Sequence, residues 1–167
     1  MLINTKENGE EVKNKKIVLI FIIILIMIII DQLSKIIVMH FVENPIGLGF
    51  FVIEKVTNDG MAFGFNSGNT KNIFMTIFVI GIITNFIVKQ IGQIDNKTSV
   101  ALGLILGGGL SNLIDRLIRH GVLDYIKFGH FFTCNIADIC IFIGWIMLIL
   151  FIIFFSNSEK KVSEKKE

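Results

Sequence analysis

The chain has 167 residues, of which 53% are apolar and 18% charged, and its mean hydropathy is +0.72. This composition excludes an ordinary soluble domain and indicates a small membrane protein that crosses the bilayer several times. The formal net charge of +2 gives no basis for a nucleic-acid partner, because the lysines lie at the chain ends and in loops and not along one face.

The first apolar segment follows a polar, lysine-rich start. We expect residues 1–16 to be a flexible cytoplasmic tail and residues 17–42 to form a helix that can cross a hydrocarbon core of about 30 Å. No small-residue cleavage site follows the apolar run, so the sequence predicts an uncleaved transmembrane helix and not a secretory signal peptide. Asp31 and Lys35 are spaced i,i+4 in this helix and are predicted to form an ion pair.

Residues 40–71 are rich in polar and aromatic residues, and this composition predicts a folded loop. Residues 50–56 have strand-like content, residues 57–60 carry a turn signal, and residues 61–65 can return as a second short strand. A small β-hairpin at the membrane surface is therefore expected. Asn58 is interpreted as a turn residue that tolerates left-handed geometry, with a binding role as the alternative.

Three more apolar segments are long enough to span a bilayer, and the last is followed by a charged tail. The predicted spans are residues 68–91, 98–119 and 134–155, separated by a link at 89–97 and a loop at 120–133, with the tail at 156–167. The sequence thus predicts an all-α membrane protein with four transmembrane helices, a small outer-surface β-hairpin region and a single domain over residues 1–167.

Small residues and cysteines give further detail on the last two spans. Gly103 and the glycines at 107–109 provide a small face for close helix packing, and they can also leave room for a substrate. Cys134 and Cys140 are six residues apart in one apolar segment, where a helix holds them on different faces, so both are expected to be free thiols.

The distribution of basic residues predicts the orientation. Ten of the sixteen Lys and Arg residues lie in the two tails and the 89–97 link, so these segments are expected in the cytoplasm. This orientation gathers the polar residues of the apolar segments and outer loops in one layer at the outer surface. They are Asp31, Lys35, Asn58, Asn112, Asp115, Arg116, Asp124, Asn135 and Asp138. Charges at membrane depth are costly, so such a layer indicates a functional site.

Four segments of the chain resemble the bacterial lipoprotein signal peptidases, the signal peptidase II family. They are residues 31–35, 58–64, 107–116 and 135–138, and they occur in the family's order and topology. The resemblance implies an aspartic peptidase of the bacterial cytoplasmic membrane that removes signal peptides from diacylglyceryl-modified prolipoproteins. Its partners would be these substrates and membrane lipids. It is expected to act as a monomer without a metal or cofactor.

The same resemblance assigns roles to the polar layer. Asp124 and Asp138 are implied as the catalytic dyad. Two close carboxylates cannot both ionise cheaply, so one can hold a proton while the other accepts one from water. The remaining residues are implied to line or support the site: Asn112, Arg116 and Asn135 line it, and Asp31, Lys35, Asn58 and Asp115 lie around it.

Spacing alone leaves Asp115 and Asp124 as rival partners for Asp138. Arg119 stands at i+4 from Asp115, and an ion pair there would keep Asp115 charged and unsuited to sharing a proton. Asp124 lies in the loop that must turn back toward the last helix. We therefore expect Asp124 in the dyad and a structural role for Asp115.

Some residues depart from the family pattern, and other functions stay open. The family usually has Ala, Gly and Phe where this chain has Gly109, Ser111 and Cys134. The loop geometry and the substrate range can therefore differ from those of the family. A small transporter or a non-catalytic membrane protein could also keep carboxylates in its spans. A transporter would carry them near the midplane and show internal repeats, and this sequence shows no such repeat.

Overall fold

The structure is a computed structural model that describes the backbone of residues 2–60, 68–129 and 131–163, and the side chains of residues 8–60, 68–129 and 131–153. These parts of the chain contain four helices and four strands. In chain order they are α1 (Leu2–Phe41), β1 (Ile46–Gly47), β2 (Val52–Asn58), α2 (Asn69–Gln90), α3 (Asn96–Ile118), β3 (Val122–Phe128), β4 (Phe132–Cys134) and α4 (Ile136–Ser163).

All four helices are long and apolar enough to cross a membrane. The candidate spans within the described residues are Asn8–Phe41, Asn69–Gln90, Asn96–Ile118 and Ile136–Ile153. They coincide with the four segments expected from hydropathy, and the predicted class of four membrane helices with a small β region is confirmed.

Both polar ends continue the helices next to them. Residues 2–16, expected as a flexible tail, belong to α1, and residues 156–163 belong to α4. Elongating an existing helix adds a hydrogen bond for each residue fixed, whereas starting one is costly, so an apolar span readily extends into a proline-free flank. Glu11 and Lys15 pair at 2.8 Å on this extension, and Lys16 Nζ donates to Ile91 O at 3.4 Å, at the end of α2.

Helix α3 occupies the centre of the bundle and packs against the other three helices. Its Leu102, Ile105 and Leu106 form one core cluster with residues of α1 and α2. Close approach on its other face depends on small residues: a Cβ built on Gly108 would lie 2.5 Å from Ala137 O in α4. Such proximity brings the first turn of α4 next to the C-terminal half of α3.

The four strands form one antiparallel sheet in the order β1-β2-β3-β4. β2 pairs with β3 through Val52–Lys127 and Asn58–Val122, so the two loops between spans join in a single structure. The segment at 120–133, expected as a loop, therefore contains β3 and most of β4. The run at 122–128 becomes a strand because distant residues of β2 supply its partner, which local sequence does not reveal.

The predicted hairpin is only partly found. Its first strand exists as β2, but Thr57 and Asn58 belong to the strand and not to the turn, since both pair with β3. The predicted return strand at 61–65 lies outside the described residues. β2 pairs instead with β1 and β3.

The sheet rests on the ends of α1 and α4. Val38 and Val42 of α1 pack with Tyr125 of β3 in a second core cluster, which Ile136 of α4 also contacts. The Tyr125 hydroxyl and Ser34 Oγ of α1 are 2.6 Å apart. This packing fixes β3 directly over the helix ends that carry the polar layer.

Candidate active site

Asp124 lies in the middle of β3 and is almost completely buried. Its carboxylate accepts two side-chain amide hydrogen bonds, from Asn58 Nδ2 to Oδ2 at 2.9 Å and from Asn135 Nδ2 to Oδ1 at 2.7 Å. Asn58 is the last residue of β2, and Asn135 directly precedes α4. The position of Asp124 therefore depends on both the α1–α2 and the α3–α4 connection.

Asp138 lies in the first turn of α4 and takes part in a reciprocal cap of that helix. Asn135 Oδ1 accepts from Asp138 N at 2.9 Å, while Asp138 Oδ2 accepts from Asn135 N at 3.2 Å. This is the arrangement of a capping box, with Asn and Asp in place of Ser and Glu. The positive end of the helix dipole favours negative charge at this carboxylate.

Two asparagines join the carboxylates. Asn135 bonds to Asp124 through its side chain and to Asp138 through its backbone. Asn112 of α3 donates from Nδ2 to Asp138 Oδ1 at 2.8 Å and accepts from Asn135 Nδ2 at 3.2 Å. The chain therefore brings two carboxylates from separate elements into one hydrogen-bonded unit.

A buried ionic cluster lies beneath this unit. Lys35 Nζ contacts Asp31 Oδ2 at 2.6 Å, Asp115 Oδ2 at 2.8 Å and Asn112 Oδ1 at 3.1 Å, and the two aspartates and the lysine are fully buried. The predicted Asp31–Lys35 pair is thus confirmed. Asp31 Oδ1 also accepts from Ala137 N at 2.9 Å, so the cluster ties α1, α3 and α4 together below the carboxylates.

Asp115 is held in ionic and hydrogen-bonding contacts on several sides. It pairs with Lys35 and with Arg119, which confirms the predicted i,i+4 ion pair. It also accepts from Gln32 Nε2 at 2.9 Å and from Leu123 N at 3.2 Å. With two cations against it, Asp115 is an anchor of the α3–β3 connection and not a free partner for Asp138.

Asn58 and Arg116 complete the set expected from sequence. Asn58 lies in β2 and does not have the left-handed backbone geometry expected for it. Its Oδ1 accepts from Gly60 N at 2.9 Å, and its Nδ2 donates to Asp124 Oδ2. Arg116 donates to Asn112 O at 3.4 Å and to Gly60 O at 3.5 Å. Its guanidinium therefore lies at the edge of the site, between α3 and the end of β2.

Burial changes the proton affinity of the site. Loss of solvent and the charge of Asp138 raise the pKa of Asp124, whereas the amide hydrogen bonds of Asn58 and Asn135 and the charge of Lys35 lower it. The net result is a pKa of about 6. Burial next to the two carboxylates also raises the pKa of the Cys134 thiol to about 11. Cys134 is therefore a neutral packing residue beside the site, and Cys134 and Cys140 are both free thiols.

Several residues of this network were not singled out from sequence. Gln32 donates to Asp115, Ser111 Oγ donates to Asp31 Oδ2 at 2.7 Å, and Ser34 bonds to Tyr125. Each is a small or amide polar side chain within an apolar run, which is the signal that could have identified it. In the part of the chain that the structure describes, no group of three or more His, Cys, Asp or Glu residues is arranged to hold a metal ion.

Comparison with known proteins identifies similar chains. The family model described as signal peptidase (SPase) II matches residues 23–154. A lipoprotein signal peptidase of Dehalococcoides mccartyi is 36% identical over 152 residues, which cover 86% of this chain and 94% of that protein. One of Shewanella oneidensis is 37% identical over 147 residues, covering 81% and 86%.

A solved structure has the same fold. It is described as a bacterial membrane enzyme determined by the in meso method at 2.3 Å resolution, and it superposes with a TM-score of 0.74 at 27% sequence identity. The alignment covers 83% of this chain and 90% of that one.

Proposed function

Because the chain belongs to the signal peptidase II family, we propose that it is an aspartic endopeptidase that removes signal peptides from diacylglyceryl-modified prolipoproteins at the membrane surface. The observation that carries the aspartic mechanism is the double role of Asn135. Its side chain donates to Asp124 at 2.7 Å and its backbone donates to Asp138 at 3.2 Å. Two carboxylates held by one residue can act together on one peptide bond.

The environments of the two carboxylates support different roles. Each carboxylate accepts two hydrogen bonds, but only Asp138 also lies at the positive end of a helix, α4, which favours its charged form. Asp124 is more deeply buried and its pKa is raised to about 6. In our proposal Asp138 is therefore the base and Asp124 holds the proton of the pair.

The proposed reaction needs only water and the two carboxyl groups. Asp138 takes a proton from water as the water oxygen attacks the scissile carbonyl carbon, and Asp124 gives its proton to the carbonyl oxygen. When the tetrahedral intermediate collapses, the proton held by Asp138 passes to the leaving amine nitrogen. The proton of the intermediate's hydroxyl returns to Asp124, so both carboxyl groups end in their starting states.

The location of the dyad supports a lipid-anchored substrate. Asp138 begins a membrane span and Asp124 lies in a sheet that rests on the ends of two spans, so a scissile bond must reach the membrane boundary. Acyl chains on the substrate cysteine would hold the bond at that depth, and such remote binding energy supports catalysis through orientation.

The decisive experiment incubates the purified protein with a prolipoprotein in diacylglyceryl-modified and unmodified forms and follows release of the signal peptide. We expect the modified form to be cleaved much faster and a chelator to leave the rate unchanged. Asp124→Asn and Asp138→Asn should fold, insert and lose activity by several orders of magnitude.

Asp115→Asn is the matched control, because it removes an equally buried carboxylate that contacts Lys35 and Arg119. This variant should have lower stability or a lower purification yield, whereas turnover per folded molecule should change less. If Asp124→Asn kept normal turnover and well-inserted Asp115→Asn lost it, Asp115 and not Asp124 would be the partner of Asp138. Equal cleavage of both substrate forms would refute the lipid requirement.

A further inference from the structure

Two neighbouring turns of the sheet each present one phenylalanine with almost no contact to the protein. Phe50, in the β1–β2 turn, is 96% exposed, and Phe131, in the β3–β4 turn, is 92% exposed. Gly49 and Gly129 give these turns φ angles of 76° and 55°, which side chains other than glycine rarely adopt. Both turns therefore use a glycine to project an aromatic ring away from the fold.

The two turns lie side by side at the same end of the sheet. Phe51 and Phe128 have ring centroids 6.1 Å apart, and the rings of Phe128 and Phe132 stack at 5.0 Å. Aromatic contacts thus join β2, β3 and β4 behind the exposed rings. We call this end of the sheet the aromatic tip: Phe50, Phe51, Phe128, Phe131 and Phe132.

The aromatic tip has no charged residue in its sequence. Residues 46–53 and 128–134 contain no Asp, Glu, Lys or Arg and one histidine, His130. Leu48, in the β1–β2 turn, is also exposed. The nearest charges on the paired strands are Glu54 and Lys127, which bond to each other at 2.7 Å. A contiguous apolar surface of this kind indicates an interaction site and not a water-facing loop.

The position of the tip indicates which partner covers it. Ile53 and Ile126, just behind the tip, pack against the core cluster that Tyr125 forms with Val38 and Val42 at the end of α1. α1 is a candidate membrane span, and Phe41 at its end is 79% exposed. The exposed rings thus continue the apolar surface that a membrane helix presents to lipid, and aromatic and large aliphatic residues suit this boundary.

We propose that the aromatic tip inserts into the lipid leaflet on the side where the candidate active site opens, and so anchors the sheet to the bilayer. Asp124 lies on β3, the strand that ends at Phe128 in the tip. An anchored tip would therefore hold this carboxylate at a fixed depth. The proposal does not depend on which substrate the protein cleaves.

The test uses tryptophan as a depth reporter in the full chain. Trp145 is the single tryptophan, so Phe50→Trp and Phe131→Trp are each made in a Trp145→Phe background and reconstituted in phosphatidylcholine vesicles without substrate. Gln93→Trp in the same background is the control, because Gln93 is an exposed polar residue in the link between α2 and α3. Phospholipid brominated on its acyl chain and aqueous iodide serve as the two quenchers, with vesicles made permeable to iodide.

We expect the brominated lipid to quench both tip reporters at least about twofold more strongly than the Gln93 reporter, and iodide to show the reverse order. Tip reporters that iodide quenches as well as the control would overturn the proposal, since the rings would then face water. Protection from both quenchers would also overturn it, and would indicate that a second copy of the chain covers the tip. Strong lipid quenching of the tip reporters, together with no signal-peptidase activity in the unsubstituted chain, would leave the anchor in place while rejecting the proposed function.

Discussion

At the scale of single residues, the site combines buried charges that neutralise one another with one carboxylate, Asp124, that destabilises the folded state when it is ionised. Lys35, Asp31 and Asp115 compensate one another's charge in the interior. Asp124 has no cation in direct contact among the described residues and receives only amide hydrogen bonds. A buried carboxylate in this setting is poised for proton transfer and is costly to the folded state when ionised.

The raised pKa of Asp124 predicts that Asp124→Asn stabilises the protein near neutral pH. The folded-state pKa of about 6 exceeds the value of 3.8 for a free aspartate, so ionised Asp124 disfavours folding by roughly 3 kcal/mol above pH 6. This penalty disappears as pH falls below the unfolded pKa, near 4. Thermal unfolding in detergent should therefore show a higher midpoint for Asp124→Asn than for the parent at pH 7.5, with the difference shrinking toward pH 4.

The control for this stability measurement is Asp115→Asn, which leaves Lys35 and Arg119 short of a carboxylate partner. It should unfold at lower temperature than the parent at pH 7.5. A difference between the midpoints of the parent and Asp124→Asn that stays the same from pH 7.5 to pH 4 would show that ionisation of Asp124 does not destabilise the fold.

The same carboxyl group predicts the pH dependence of cleavage. If protonated Asp124 is the acid, kcat/KM should fall as pH rises through an apparent pKa near 6, because the free enzyme then loses the proton that the reaction needs. The measurement is the initial rate at low substrate concentration from pH 5 to 8. Lys127→Gln, which removes a cation paired with Glu54 outside the dyad, should keep the same profile. A flat profile over this range would rule Asp124 out as the acid.

At the scale of elements, the contact between α3 and α4 decides whether the two carboxylates of the proposed dyad come together. Gly108 allows it, because a Cβ there would meet Ala137 O at 2.5 Å and an Ile141 side-chain carbon at 2.7 Å. Ala137 N also donates to Asp31, and Asp138 is the next residue. A shift of α4 would therefore move a proposed catalytic carboxylate directly.

Gly108→Ala is accordingly predicted to lower the free energy of unfolding by about 2 kcal/mol and to reduce cleavage, since the backbone of α4 must move away. Gly109→Ala is the matched control. A Cβ at Gly109 has only Ile80 near it, at 3.8 Å, and alanine raises helix propensity by up to about 1 kcal/mol. Unfolding and activity are measured on both variants in the same detergent. Equal behaviour of the two would show that the α3–α4 contact tolerates a side chain.

At the scale of the whole molecule, orientation remains a prediction from the basic residues. Ten of the sixteen Lys and Arg residues lie in the two end segments and the 89–97 link, so we expect both termini in the cytoplasm and the active site on the outer side. Asn44→Cys and Gln93→Cys place exposed thiols in connections at opposite ends of the bundle, while Cys134 and Cys140 are buried. In intact cells, a membrane-impermeant maleimide should label Asn44→Cys only. Labelling of Gln93→Cys alone would invert the topology.

The sequence by itself determined the four spans. A helix needs about 20 apolar residues to cross a bilayer, and a run of that length is visible in the sequence whatever it packs against. It also determined local ionic pairs. Asp31–Lys35 and Asp115–Arg119 follow from i,i+4 spacing on a helix. The gathering of polar residues at one end of the bundle followed from counting spans and was found in the structure.

Only the tertiary structure decided how the loops between the spans fold and which groups hold Asp124 and Asp138. Asp124 was expected in a loop and lies in β3, because β2 supplies the hydrogen-bonding partners of that strand from more than 60 residues away in sequence. The link from Lys35 through Asn112 to Asp138 joins three helices. Contacts of this kind depend on side-chain packing between distant segments, whereas hydropathy and helical spacing report only on neighbours along the chain.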